Sequence, residues 1–268
     1  MNVEELEPWS AKGLEFTQQL FDNIGDVLED YANFSNLGRW EPDYAADTIL
    51  NDQIVLVHRD PLELEADCIC LSIDENSHPV AESCTLKMVD AIGRPLLDTL
   101  DGLGALNQGD IRTYSIDEGQ KNINYKKVFL ACVPPEENLP TGIKTLTVNN
   151  IGSVSVLLRL YQKCLTQAVQ NDFETIVLTP LAVLEEPTAM KPGYGLIPAA
   201  HAALRFVRAW LDDGVNSSLL TKVVFCVSSK REYAVYKDLM LRIFPISRLD
   251  HDDKTVEDFD IEFSDLED

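Results

Sequence analysis

The chain has 268 residues and carries 45 Asp and Glu against 22 Lys and Arg, a net charge of −23. Its 45% hydrophobic and 25% charged composition is that of a globular protein, which excludes a wholly disordered chain. So acidic a chain repels phosphate backbones and anionic lipid, which disfavours sequence-independent nucleic-acid binding and a lipid-surface role.

The charge is uneven. Residues 1–48 hold eleven acids against Lys12 and Arg39, a net −9, and residues 249–268 hold ten against Lys254, again −9, leaving −5 for the 200 residues between. Three regions follow: an acidic N-terminal helical extension over 1–48, a folded domain over 49–248 and an acidic tail over 249–268. The opening MNVEELEPWS has neither the basic nor the apolar region of a signal peptide. No run of about 18 apolar residues predicts a membrane-spanning helix. The cytosol or nucleus is the expected location.

In chain order, Phe16, Leu20, Phe21, Ile24, Val27, Leu28 and Tyr31 predict an amphipathic helix over 14–31. Residues 32–52 read as a connection. Near-continuous apolar runs then predict strands at 54–57, 68–73, 128–133, 176–178 and 223–227, of the kind covered on both faces. Helical spacing predicts a helix over 80–100, a second through Val154, Leu158, Tyr161 and Leu165, a third through Ala200, Leu204 and Leu211, and a last through Tyr233, Tyr236, Met240 and Ile243. The order β-β-α-β-β-α-β-α-β-α is that of an α/β sandwich with a mostly parallel or mixed sheet.

Six cysteines (Cys68, Cys70, Cys84, Cys132, Cys164 and Cys226) form no C-x-x-C pair and sit mostly in apolar runs, as core thiols do in a reducing compartment. With His58, His78, His201 and His251 scattered, no metal site and no cofactor are expected. Cys132 ends a strand, but with no positioned base it reads as core rather than nucleophile. His201 opens a helix and reads as packing or capping rather than as a ligand. The tail alternates acids with Phe259, Ile261, Phe263 and Leu266. It is either a disordered solubilising tail or a docking peptide, strand or short helix.

No G-x-S-x-G, Walker loop, H-E-x-x-H or G-x-G-x-x-G motif is present. More specific is Lys191-Pro-Gly193-Tyr194-Gly195-Leu-Ile-Pro198 before a helix, where backbone N–H groups and the helix dipole make an anion cradle. This segment, the Ala-x-x-Ala-Leu-Arg run after it, and the closing Lys222-Val-Val-Phe-Cys-Val-Ser…Tyr236 resemble the macro domain over about 53–246. So do His78-Pro-Val-Ala-Glu-Ser83 and Gly93-Arg-Pro-Leu-Leu.

The resemblance implies a three-layer α/β/α sandwich with a mixed central sheet. It also implies a cleft for ADP-ribose at the strand C-termini, and some relatives hydrolyse ADP-ribosyl bonds. The site residues it implies are Asp60 for the adenine amino group, Asp74 beside the distal ribose, and Gly193, Tyr194 and Gly195 around phosphate. The departures are specific. Where the family's first strand ends in Gly-Asp-Ile, this chain has Arg59-Asp60-Pro61, and Pro61 has no N–H for the adenine ring. Where the second strand ends in Asn-x-x-Asn, this chain has Leu71-Ser-Ile-Asp74, which replaces donors with an apolar group and an acceptor. Glu75-Asn-Ser-His78 replaces the glycine-rich catalytic loop. Acids at Asp74, Glu75, Glu185 and Glu186 oppose a diphosphate. The expected function is a non-enzymatic macro-like module that binds proteins through its acidic flanks. The alternative is an ADP-ribose reader, and an active ADP-ribosyl hydrolase comes third.

Overall fold

The computed structural model describes residues 1–12, 44–79, 84–117, 123–133, 151–181 and 196–246. Six strands form one sheet: β1 (Ile54–His58), β2 (Glu65–Ile73), β3 (Ile111–Ser115), β4 (Asn124–Cys132), β5 (Thr175–Leu178) and β6 (Lys222–Val227). Their order is β1-β6-β5-β2-β4-β3. Every pairing is parallel except β3 with β4. The sheet is therefore mixed, with β3 as its antiparallel edge.

The described helices are α1 (Trp9–Lys12), α2 (Thr48–Gln53), α3 (Cys84–Ile92), α4 (Arg94–Leu103), α5 (Ile151–Gln170), α6 (Leu196–Leu211), α7 (Gly214–Ser217) and α8 (Lys230–Ile243). Strand periodicity divides the core into two layers. Ile54, Leu56, Cys70, Phe129 and Phe225 face α5, α6 and α8, with Trp9 in the same cluster. Val55, Val57, Ile69, Leu71 and Val224 face α3 and α4, with Val3, Leu6 and Leu64 beside them. This is the expected α/β/α sandwich.

β1, β5 and β6 are buried on both faces, which is why they read as unbroken apolar runs. β2 and β4 start earlier than those runs, because the polar Glu65, Asp67, Asn124, Lys126 and Lys127 of their first residues lie outside the core. β3 carries no apolar run; its exposed Arg112, Thr113 and Ser115 suit an edge. The helix expected over 80–100 is two helices, with 80–83 outside the described residues. Gly93 sits at φ 72, its N–H closing α3 on the Val89 carbonyl at 2.8 Å, and Pro95 lies in the first turn of α4. Left-handed backbone followed by proline ends one helix and starts another. The helix predicted over 14–31 lies outside the described residues, as does the tail over 249–268.

The first twelve residues belong to the core. Val3 and Trp9 are fully buried, and Trp9 Nε1 donates to the Phe244 carbonyl at 2.9 Å. Burying a tryptophan whose N–H finds an acceptor combines large apolar area with a satisfied polar tip. Residues 59–64 run from the top of β1 across the α3 face to the bottom of the parallel β2. Leu64 is fully buried on that face, and Tyr125 Oη donates to the Pro61 carbonyl at 2.6 Å.

Candidate functional site

Because β1, β2, β4, β5 and β6 are mutually parallel, their C-terminal ends share one edge of the sheet. In open α/β sheets ligand crevices form there. That edge brings together Arg59-Asp60, Asp74-Glu75, Val133, Thr179-Pro180 and Ser228-Ser229.

Asp60 caps the 3-10 turn Pro61–Glu63 and its carboxylate is shared. One oxygen accepts from Leu62 N–H at 3.1 Å, and the other faces Lys87 Nζ of α3 at 3.2 Å. Pro61 takes the first position of that turn, where a missing N–H costs nothing. Beside Asp60, the Arg59 carbonyl accepts from the Cys226 thiol at 3.5 Å. Both half-exposed oxygens of Asp60 thus have partners before any adenine arrives.

Asp74 is more fully committed. Its Oδ1 accepts from Asn76 N–H and His78 N–H, each at 2.8 Å, and Oδ2 lies 3.4 Å from His78 Nδ1. Its backbone N–H donates to the His78 carbonyl at 2.8 Å, closing a loop that places Ser77 at φ 65. Ser77 Oγ and the Glu75 carbonyl tie this loop to Gly104 and Leu106. An aspartate that accepts from N–H groups two and four residues on is a turn former. Asp74 therefore staples its own loop. The local field is negative: burial, then the Asp74 and Asp110 carboxylates, push the Cys132 thiol up to about 11. Such a field opposes a diphosphate.

At the end of β6 the first turn of α8 is capped from within. Glu232 accepts from Ser228 N–H at 2.7 Å, Ser228 Oγ at 3.0 Å and Ser229 N–H at 3.0 Å, while Ser229 Oγ accepts from Glu232 N–H at 3.1 Å. This capping box is foreshadowed by the S-x-x-E spacing of Ser229 and Glu232, which the sequence analysis did not use. His58 Nε2 lies 3.2 Å from the Ser228 carbonyl.

Cys132 is fully buried, as are the other cysteines or nearly so; burial raises Cys68 and Cys70 well above an ordinary thiol, and a hydrogen bond with Cys84, then burial, does the same for Cys226. A thiol so placed is no nucleophile. His201 lies in the second turn of α6 rather than at its start. Gly193, Tyr194 and Gly195, with Glu185 and Glu186, lie outside the described residues, as do Phe259, Ile261, Phe263 and Leu266. Among the described residues no His, Cys, Asp and Glu converge as a metal site, and no helix is long and apolar enough to cross a membrane.

No family model and no curated protein matches the sequence. Solved structures do match. The macro domain of ganglioside-induced differentiation-associated protein 2 superposes with a TM-score of 0.64 at 19% identity, over 92% of this chain and 98% of that one. The chain has the macro-domain fold. The Trypanosoma brucei macrodomain in complex with ADP-ribose aligns at TM-score 0.55 and 19% identity, over 74% of this chain and 72% of that one. The Oceanobacillus iheyensis macrodomain with ADP gives 0.55 at 14%, over 71% and 91%. Macro domains are thus the fold the motifs pointed to, and the first of these three is one that Gly93-Arg-Pro and its companion segments resemble. At these identities the likeness concerns the fold.

Proposed function

We propose that this chain is a non-enzymatic macro-fold module that works by binding proteins, with its acidic flanks as docking elements. One observation carries the reading. The carboxylates that a nucleotide would meet at the C-terminal edge already bond to the chain itself, above all Asp74 to Asn76 and His78. Catalysis on an ADP-ribosyl bond needs oriented, unspent groups around the distal ribose. Leu71 and Asp74 supply none of the donors that an amide pair would. The alternation of acids with Phe259, Ile261, Phe263 and Leu266 supports the tail's part. The buried free thiols support a reducing compartment, cytosol or nucleus.

Calorimetry with ADP-ribose at moderate salt tests it. The expected result is no saturable heat at millimolar ligand and no release of ADP-ribose from a modified protein. A dissociation constant in the micromolar range, about −8 kcal/mol, overturns the first half. Release of ADP-ribose overturns the second.

The alternative reading is an ADP-ribose reader. Asp60, two residues beyond β1, and the glycines before α6 favour it, together with the ADP-ribose held by the trypanosome macrodomain. Under this reading Gly193→Glu abolishes binding while leaving the fold intact.

A further inference from the structure

We propose that residues 258–264 of the tail add as a seventh strand to the outer edge of β3 in the same molecule. Among the described residues the sheet ends at β3. The register sets which of its backbone groups are open. The Asp110 carbonyl accepts from Cys132 N–H at 2.8 Å, and Ile116 N–H donates to the Lys126 carbonyl at 3.0 Å. With Ile111 opposite Ala131, residues 110, 112, 114 and 116 therefore turn their backbone groups toward β4. Ile111, Thr113 and Ser115 turn theirs outward. Thr113 and Ser115 are exposed, and no proline interrupts the strand. An open edge of this kind is a template for one more strand.

The two faces beside that edge differ, and the tail matches both. The face of Ile111 and Thr113 is flanked by α5, where half-exposed Lys163 Nζ donates to the Gly109 carbonyl at 2.5 Å and lies 3.3 Å from Asp110 Oδ1. The other face carries exposed Arg112 beside half-buried Tyr114 and Ile116, which pack on the α3 side of the core. In the tail, Asp258, Asp260 and Glu262 alternate with Phe259, Ile261 and Phe263. On a strand the two sets point to opposite faces. Docked on β3, the acids approach half-exposed Lys163 and the apolar set extends the Tyr114–Ile116 surface along the aliphatic stem of Arg112.

The chain can reach. Ile246 lies by the start of β1, at the far edge of the sheet, since the neighbouring Pro245 carbonyl accepts from Asn51 of α2. Five strand spacings separate that edge from β3, about 24 Å. Twelve residues, 247–258, span up to about 40 Å.

The inference rests on the proposed docking role of the tail. Amide exchange tests it, comparing the full chain with a chain ending at residue 248. The expected result is at least about tenfold slower exchange at Thr113 and Ser115 in the full chain, independent of protein concentration. Asp258→Lys, Asp260→Lys and Glu262→Lys together should remove that protection, and so should added salt. Thr113→Pro, which deletes an outward N–H and leaves the β4 ladder intact, should free the tail amides. Equal exchange in the two chains overturns the proposal. Protection that grows with concentration also overturns it, in favour of a second copy of the chain. If the protection is found but tail deletion leaves every native partner bound, the strand stands and the partner-docking role falls. If the protection is missing while partners are lost, the reverse holds.

Discussion

Glu232 offers the most direct test of how the C-terminal edge is held. Its carboxylate, on a residue 8% exposed, takes two backbone N–H groups and one hydroxyl at 2.7–3.0 Å. Glu232→Ala removes the acceptor and half of the capping box. Hydrogen bonds to a charged group contribute about 1.5–3 kcal/mol each, and the half-buried Ser228 and Ser229 recover part of that from water. Counting the two backbone bonds at the low end gives a loss of about 3 kcal/mol, or roughly 6–12 °C in Tm for a chain of this size. Glu232→Gln keeps one carbonyl oxygen in place and should recover about half. Urea and thermal unfolding of the three proteins, followed by circular dichroism, give the comparison. A Glu232→Ala protein within about 0.5 kcal/mol of the parent would show that these contacts do not hold the edge and would refute the reasoning.

Burial raises the Asp238 carboxyl to about 6 against a partial counter-effect from Lys237, so the folded chain binds this proton more tightly than the unfolded chain does. Stability from this group therefore falls as pH rises from about 4 to about 6 and stays lower above that. Asp238→Asn should stabilise by roughly 3 kcal/mol at pH 8 and by nothing below about pH 4, read from unfolding curves across pH. Gly109 sits at φ 82 with its would-be Cβ 3.3 Å from Val156 Cγ1, whereas Gly102 in α4 has nothing within 4 Å. Gly109→Ala should cost at least about 1 kcal/mol, and Gly102→Ala should stabilise by roughly 0.5–1 kcal/mol in the same assay.

The layered sandwich was legible because both faces of strands such as β1 and β6 are covered. Val223–Val227 and Ile54–Val57 could then be read as continuous apolar runs, and the 3.6-residue spacing of Tyr236, Met240 and Ile243 marked the helix beside them. What failed to show was decided by single residues or by edges. Gly93 and Pro95 broke a helix whose apolar periodicity ran on through them. β3 has one face half-wet and no apolar run to announce it. At the candidate site, residue types were legible and their employment was not. Asp74 could be named as a carboxylate where an amide is usual, but its bonds to Asn76 and His78 depend on loop geometry that no spacing rule encodes. The Glu232 capping box, by contrast, has a local signature in the Ser229-x-x-Glu232 spacing.

The place of β1 in the sheet bears on how the chain folds as it is made. Its sheet partner is β6, with Ile54 opposite Val223, so an almost wholly apolar strand near the beginning waits for one near the end. At roughly 5–20 residues per second, translating the intervening segment takes about 10–30 s. Throughout that interval Ile54–Val57 has no strand to pair with, while β2, β4 and β5 can already assemble. The nascent chain thus carries an exposed, aggregation-prone edge, and a chaperone that covers short apolar strands would act there first.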